Sequence, residues 1–171
     1  MPKLFGNPIC FELRPDLTAY RGNLLSGAEL GTPVHAAAFI RKRVVVLETS
    51  LFSNTDRLRL ILVHEIFHFV WVRLNNGQRR AFADLLADEM RGRARGEVGE
   101  SSDIKKRSLR EGGSFDDSSR LWRDYVCESF CDSAAAFLSG TAANEHFTLA
   151  RHWANRRCAW LLRTGEQGWR C

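Results

Sequence analysis

Leu58-Arg59-Leu60-Ile61-Leu62-Val63-His64-Glu65-Ile66-Phe67-His68-Phe69-Val70-Trp71-Val72-Arg73-Leu74 is a largely apolar run with three polar side chains at its centre. Asn54, Thr55 and Asp56 precede it and offer oxygens that cap unpaired backbone N–H groups, and Asn75-Asn76-Gly77 follows as a stop. The pattern predicts one long, mostly buried helix. At 100° per residue, side chains four apart differ by only ~40° around the axis, so His64 and His68 can bind one metal ion. Glu65 occupies the adjoining surface, where its carboxylate can take a proton from a metal-held water without being a ligand. Neutral imidazoles suit Zn²⁺, which lowers the pKa of bound water to ~7. A shuffled chain of this composition would contain the motif only ~0.008 times. An unpaired His or Glu among Ile61, Leu62, Val63, Ile66, Phe67, Phe69 and Val70 would also be costly, so these groups need a reason to be inside.

A catalytic zinc usually has three protein ligands, so the rest of the chain must supply one more. The metzincin continuation, a Gly and a third His, is excluded because Trp71 and Leu74 stand at those positions. The best source is Tyr125-Val126-Cys127-Glu128-Ser129-Phe130-Cys131-Asp132. Glu128 and Asp132 share a helix face, which lets one carboxylate bind the ion while the other receives the free ring N–H of a histidine ligand. Cys127 and Cys131, also four apart, form a rival pair that could put two thiolates on one metal. Small buried cysteines are the plainer reading, because structural zinc sites pair two such units and the chain has no second. Tyr125, one turn before Glu128, is the first choice for stabilising an oxyanion, ahead of His35, His146 and His152.

With these two motifs the sequence resembles the gluzincin metallopeptidases, and among them the minimal-core members related to ImmA/IrrE-like proteases. The resemblance runs over roughly residues 34–140. It implies a zincin-like fold with His64, His68 and Glu128 as zinc ligands, Glu65 as general base and Asp132 as orienter of a ligand. It also implies peptide-bond hydrolysis on a peptide or protein substrate. An edge strand, Val34 to Ile40 or Val44 to Glu48, would align that substrate in extended form. Cys131 stands where the family usually has Ala, and the thermolysin-type Asn before the ligand Glu is absent. A different reading is a non-catalytic, zinc-stabilised interaction module.

Length and composition agree with one soluble domain over 1–171: 171 residues, 44% hydrophobic and 26% charged. The formal net charge of +5 is modest for a nucleic-acid binder. Basic residues from Arg91 to Arg110 alternate with Glu97, Glu100 and Asp103 and lack interleaved aromatics, so nucleic acid is not an expected partner. Five cysteines without a C-x-x-C unit point to a reducing compartment. No secretory signal pattern opens the chain, and its most apolar window contains His64, Glu65 and His68, so no membrane partner and a cytoplasmic location are expected.

The expected architecture is α+β and mostly helical, with a small antiparallel sheet packed on the metal-binding helices. A hairpin is predicted within Val34 to Glu48, and a second helix within Gln78 to Arg95 that buries Phe82, Leu85, Leu86 and Met90. The polar stretch 96–119 is predicted to be a mobile connection. A third helix, capped by Asp117 or Ser118, should run to Leu138 and bury Leu121, Tyr125, Phe130, Ala134 and Phe137. A fourth should run from Thr141 to Gly165.

Overall fold

The computed structural model describes residues 3–27, 30–111, 119–141 and 146–171. Among them the chain is α+β, with five α-helices and three small sheets. The strands are β1 (Leu4–Phe5), β2 (Cys10–Arg14), β3 (Leu17–Tyr20), β4 (Asn23–Ser26), β5 (Thr32–Pro33), β6 (Ala36–Phe39), β7 (Val44–Glu48) and β8 (Trp169–Arg170). The helices are α1 (Thr55–Trp71), α2 (Asn76–Arg91), α3 (Glu100–Glu111), α4 (Arg120–Leu138) and α5 (Arg151–Thr164). None is long and apolar enough to cross a membrane.

The core forms where α1 packs on α4, with α2, α5 and β7 closing around them. Phe67, Phe82, Phe130, Trp160 and Trp169 meet in edge-on and tilted ring pairs 5.0–6.1 Å apart. Such pairing adds specific geometry to the area that the rings bury.

The β6–β7 hairpin forms as predicted, with Ala36 opposite Leu47 and Phe39 opposite Val44. The sheet around it is mixed rather than antiparallel, because β2 joins the far side of β7 in parallel, Cys10 opposite Val44. A parallel partner requires a long crossover, and residues 15–43 supply it, with β3, β4 and β5 forming a separate small sheet on the way. β7 is thus central, and β6 lies at the edge of the sheet and packs on α1.

The starts of α1, α2 and α4 follow local capping chemistry. Asn54 accepts the Arg57 N–H at the start of α1. Asn75, expected to end a helix, instead begins one: its side chain and that of Gln78 cap α2 reciprocally, and α1 stops earlier, at Trp71. Ser119 caps α4 by accepting the Trp122 N–H, while Asp117 and Ser118 lie outside the described residues. α5 begins at Arg151 rather than Thr141, and residues 142–145 between them are outside the description. Phe82 and Leu86 are buried as expected, but Leu121, on the open side of α4, is 45% exposed.

The largest departure lies in 96–119. α3 fills much of it, and Glu97, Val98, Ser102, Lys106 and Leu109 are buried. Its polar side chains add pairing to the apolar burial of Val98 and Leu109. Glu97 accepts the Tyr125 hydroxyl at 2.6 Å and lies 2.9 Å from Lys106 Nζ and 2.6 Å from Arg157 Nη1. Arg157 also donates to Glu89, at 2.6 and 3.0 Å. Burial raises the Glu97 carboxyl, but Arg157, Lys106 and the Tyr125 hydroxyl outweigh it and bring its pKa down to about 2.

Candidate metal centre

α1 and α4 lie side by side, so a face of one meets a face of the other along their length. From α1 come His64 and His68, whose Nε2 atoms are 3.2 Å apart. From α4 comes Glu128, with Oε2 3.3 Å from His64 Nε2 and 3.9 Å from His68 Nε2. Three acceptor atoms therefore face one point. Ligand atoms about 2.1 Å from a tetrahedral ion lie about 3.4 Å apart, so the spacing and donor set fit a divalent metal.

The outer nitrogens of both rings are held as well. Asp132, one turn beyond Glu128, has Oδ1 2.8 Å from His64 Nδ1, and Cys127 Sγ is 3.6 Å from His68 Nδ1. Once the Nε2 protons are lost to an incoming ion, donation from each Nδ1–H would leave the Nε2 lone pairs directed inward, the tautomer a metal requires. Cys127 thus sits behind His68, on the side away from Glu128, which argues against the two-thiolate pair. Cys131 is different: His64, His68 and Cys131 bring ligand atoms within 4.8 Å of one another and could hold a metal ion. Glu128 and Cys131 are thus both candidates for the third position, and their protonation differs. Burial, together with a hydrogen bond from its S–H to Cys127, keeps the Cys131 thiol well above its usual pKa. Burial also raises Glu128, but the hydrogen bond with His64 and the nearby His68 outweigh it and hold the carboxylate ionised.

The same electrostatics act on the other groups. Burial disfavours the His64 imidazolium, yet the Asp132 bond and charge and the Glu128 bond raise its pKa well above the imidazole value. Burial likewise lowers His68, and the bond with Cys127 more than reverses it. The Cys127 thiol, bonded by Cys131 and by His68, falls to about 6. Glu65 is raised, chiefly by burial, against the pull of both histidines. Its carboxylate also accepts the backbone N–H of Ala38 in β6, which ties it to the edge strand.

Tyr125 does not face this cluster as an oxyanion donor. It is fully buried, and its hydroxyl is committed to Glu97. The correction has a simple cause: one turn before Glu128 on α4, the helix already faces the charges of α3 and α5. His35 Nε2 is 2.6 Å from an Arg57 guanidinium nitrogen, His146 lies 3.8 Å from Glu100, and His152 stacks beside Trp153. Sequence reading missed the Glu97 and Arg157 pair altogether. No spacing rule links positions 60 apart, and nothing in the sequence marks either charge as buried. Compared with protein-family models, curated proteins and solved structures, the chain matches none.

Proposed function

We infer that the protein is a zinc-dependent peptidase of gluzincin type. The observation that carries this reading is the convergence of His64 Nε2, His68 Nε2 and Glu128 Oε2 beside a buried Glu65. His64, His68 and Glu128 would hold the ion, with Asp132 and Cys127 orienting the two rings. Zinc bound there supplies Lewis acidity, which polarises a substrate carbonyl and makes water acidic near neutral pH. Glu65 serves as the general base, and its raised pKa suits proton exchange with water and with a departing amine.

Substrate alignment falls to β6. The Glu48 N–H donates to the His35 carbonyl, so by antiparallel alternation Ala36 and Ala38 turn their backbone groups to the open side of the strand. With the Ala38 N–H taken by Glu65, an extended peptide can pair with the backbone groups of Ala36 and the Ala38 carbonyl, next to the Glu65 carboxylate. Of the two strands considered from sequence, Val44 to Glu48 has neighbours on both sides and offers no free edge.

The test compares wild type with Glu65→Gln, each loaded with zinc, across a peptide library read by mass spectrometry. Equal zinc content with a loss of about 10²–10⁴-fold in cleavage rate is expected. Zinc-loaded wild type that cleaves nothing the variant does not would overturn the reading. A metal module without catalysis is the second reading, and Cys131 favours it, since a thiolate in the fourth position would close the site to water.

A further inference from the structure

We propose that the first turn of α3, Gly99 to Ser102, is the positioning element of the metal centre, clamping Asp132 so that it holds His64 ready for the ion. The proposal rests on the metal reading above and names residues outside the ligand set.

A helix start leaves backbone N–H groups without partners, and the residue at the cap position normally supplies a side-chain oxygen for one of them. Here the cap position is Gly99, which has no side chain to offer; its carbonyl accepts the Asp103 N–H that opens the helix. The missing oxygen comes from another helix. Asp132 of α4 accepts the Ser102 N–H through Oδ2 at 2.7 Å, while its Oδ1 lies 2.8 Å from His64 Nδ1. One carboxylate therefore joins the α3 start to a histidine, and the positive end of the helix dipole favours its negative charge.

Gly99 is needed for more than its missing oxygen. A Cβ there would overlap the Asp132 carboxyl carbon and lie 2.5 Å from Oδ2. Alanine or any larger residue would push Asp132 out of the rotamer that reaches His64. The turn has little freedom to yield, because the preceding segment is fastened on several sides. Glu97 accepts the N–H groups of Thr148 and Leu149 through its carbonyl, Lys106 donates to the Gly96 carbonyl at 2.8 Å, and Val98 is fully buried.

Zinc affinity, measured by competition with a chromophoric chelator, tests this without any need for activity. Gly99→Ala is expected to lose 10–100-fold in affinity, the range for removing an outer partner of a ligand histidine. Asp132→Ala should lose a similar amount. In the double variant Gly99→Ala should cost nothing further, because the carboxylate it displaces is gone. Losses that multiply, or a Gly99→Ala affinity within twofold of wild type, would overturn the clamp and leave the metal reading standing. Wild type that binds no zinc would overturn both. Should Gly99→Ala fail to fold, amide exchange in the wild type decides the matter. By linkage, zinc must slow exchange of the Ser102 N–H if the clamp exists; an exchange rate unchanged by zinc refutes it.

Discussion

Two buried polar clusters lie along α4, and they differ in charge balance. Around Glu97, two carboxylates (Glu89 and Glu97) meet two cations (Lys106 and Arg157), and the Tyr125 hydroxyl completes the set. Around His64, the carboxylates of Glu128 and Asp132 and two imidazoles are gathered, with Glu65 alongside; among the described residues no Lys or Arg is bonded into the group. The first is electrically closed and joins α2, α3, α4 and α5. The second directs three ligand atoms at one point, and the positive charge bonded to its carboxylates is that of imidazoles whose pKa values are raised. A divalent ion could take the place of those protons as the counter-charge, so the second cluster is the one that could hold a metal.

The sharpest way to break this contrast is to open the closed cluster. Arg157→Leu leaves Glu89 and Glu97 buried with only Lys106 to balance them, and should destabilise the fold by about 3–5 kcal/mol, read from the denaturant midpoint. Survival of the midpoint would mean that the network is not the brace described here. The open cluster should respond in the opposite direction. Zinc at 100 times its dissociation constant should stabilise wild type by about 2.7 kcal/mol, a chelator should reverse the gain, and His64→Ala should abolish it. A zinc-induced rise in Tm that persists in His64→Ala would place the ion elsewhere.

A subtler measurement uses pH. The Glu97 carboxyl is depressed from 4.5 to about 2 in the folded protein. Its stabilising contribution is therefore complete above pH 4.5 and is lost as pH falls from there toward 2. Glu89 is shifted upward, chiefly by burial, so its own contribution changes above pH 4.5, outside this window. Denaturant midpoints taken over this window should fall more steeply for wild type than for Glu97→Gln. Equal slopes would show that Glu97 is not held as an ionised partner of Arg157.

The two clusters also differ in how far they could be read from sequence. His64 with His68, and Glu128 with Asp132, are each four apart on one helix, so periodicity alone puts each pair on one face. The apolar surroundings of His64 pointed to the buried side. Glu97 and Arg157 carry no such mark, because 60 residues separate them and each, taken singly, reads as an ordinary surface charge. The same blindness made 96–119 look like a loose connection: its polar composition was visible, whereas Tyr125 and Arg157, the distant partners of Glu97, come from α4 and α5. Tyr125 was misjudged for a related reason. Its place on α4 was clear, but the neighbour its hydroxyl would meet was not.

What the sequence by itself determined is local: the capped helix start at Asn54, a hairpin within 34–48, and the pairs of ligand-type side chains set four apart by helical geometry. Only the tertiary structure decided which faces meet, that Gly99 leaves room for Asp132, that β6 rather than β7 has a free edge, and that Cys127 stands behind His68. The physical reason is that backbone hydrogen bonding and side-chain period act over a few residues. The choice among distant partners for a buried charge depends on the whole packed interior.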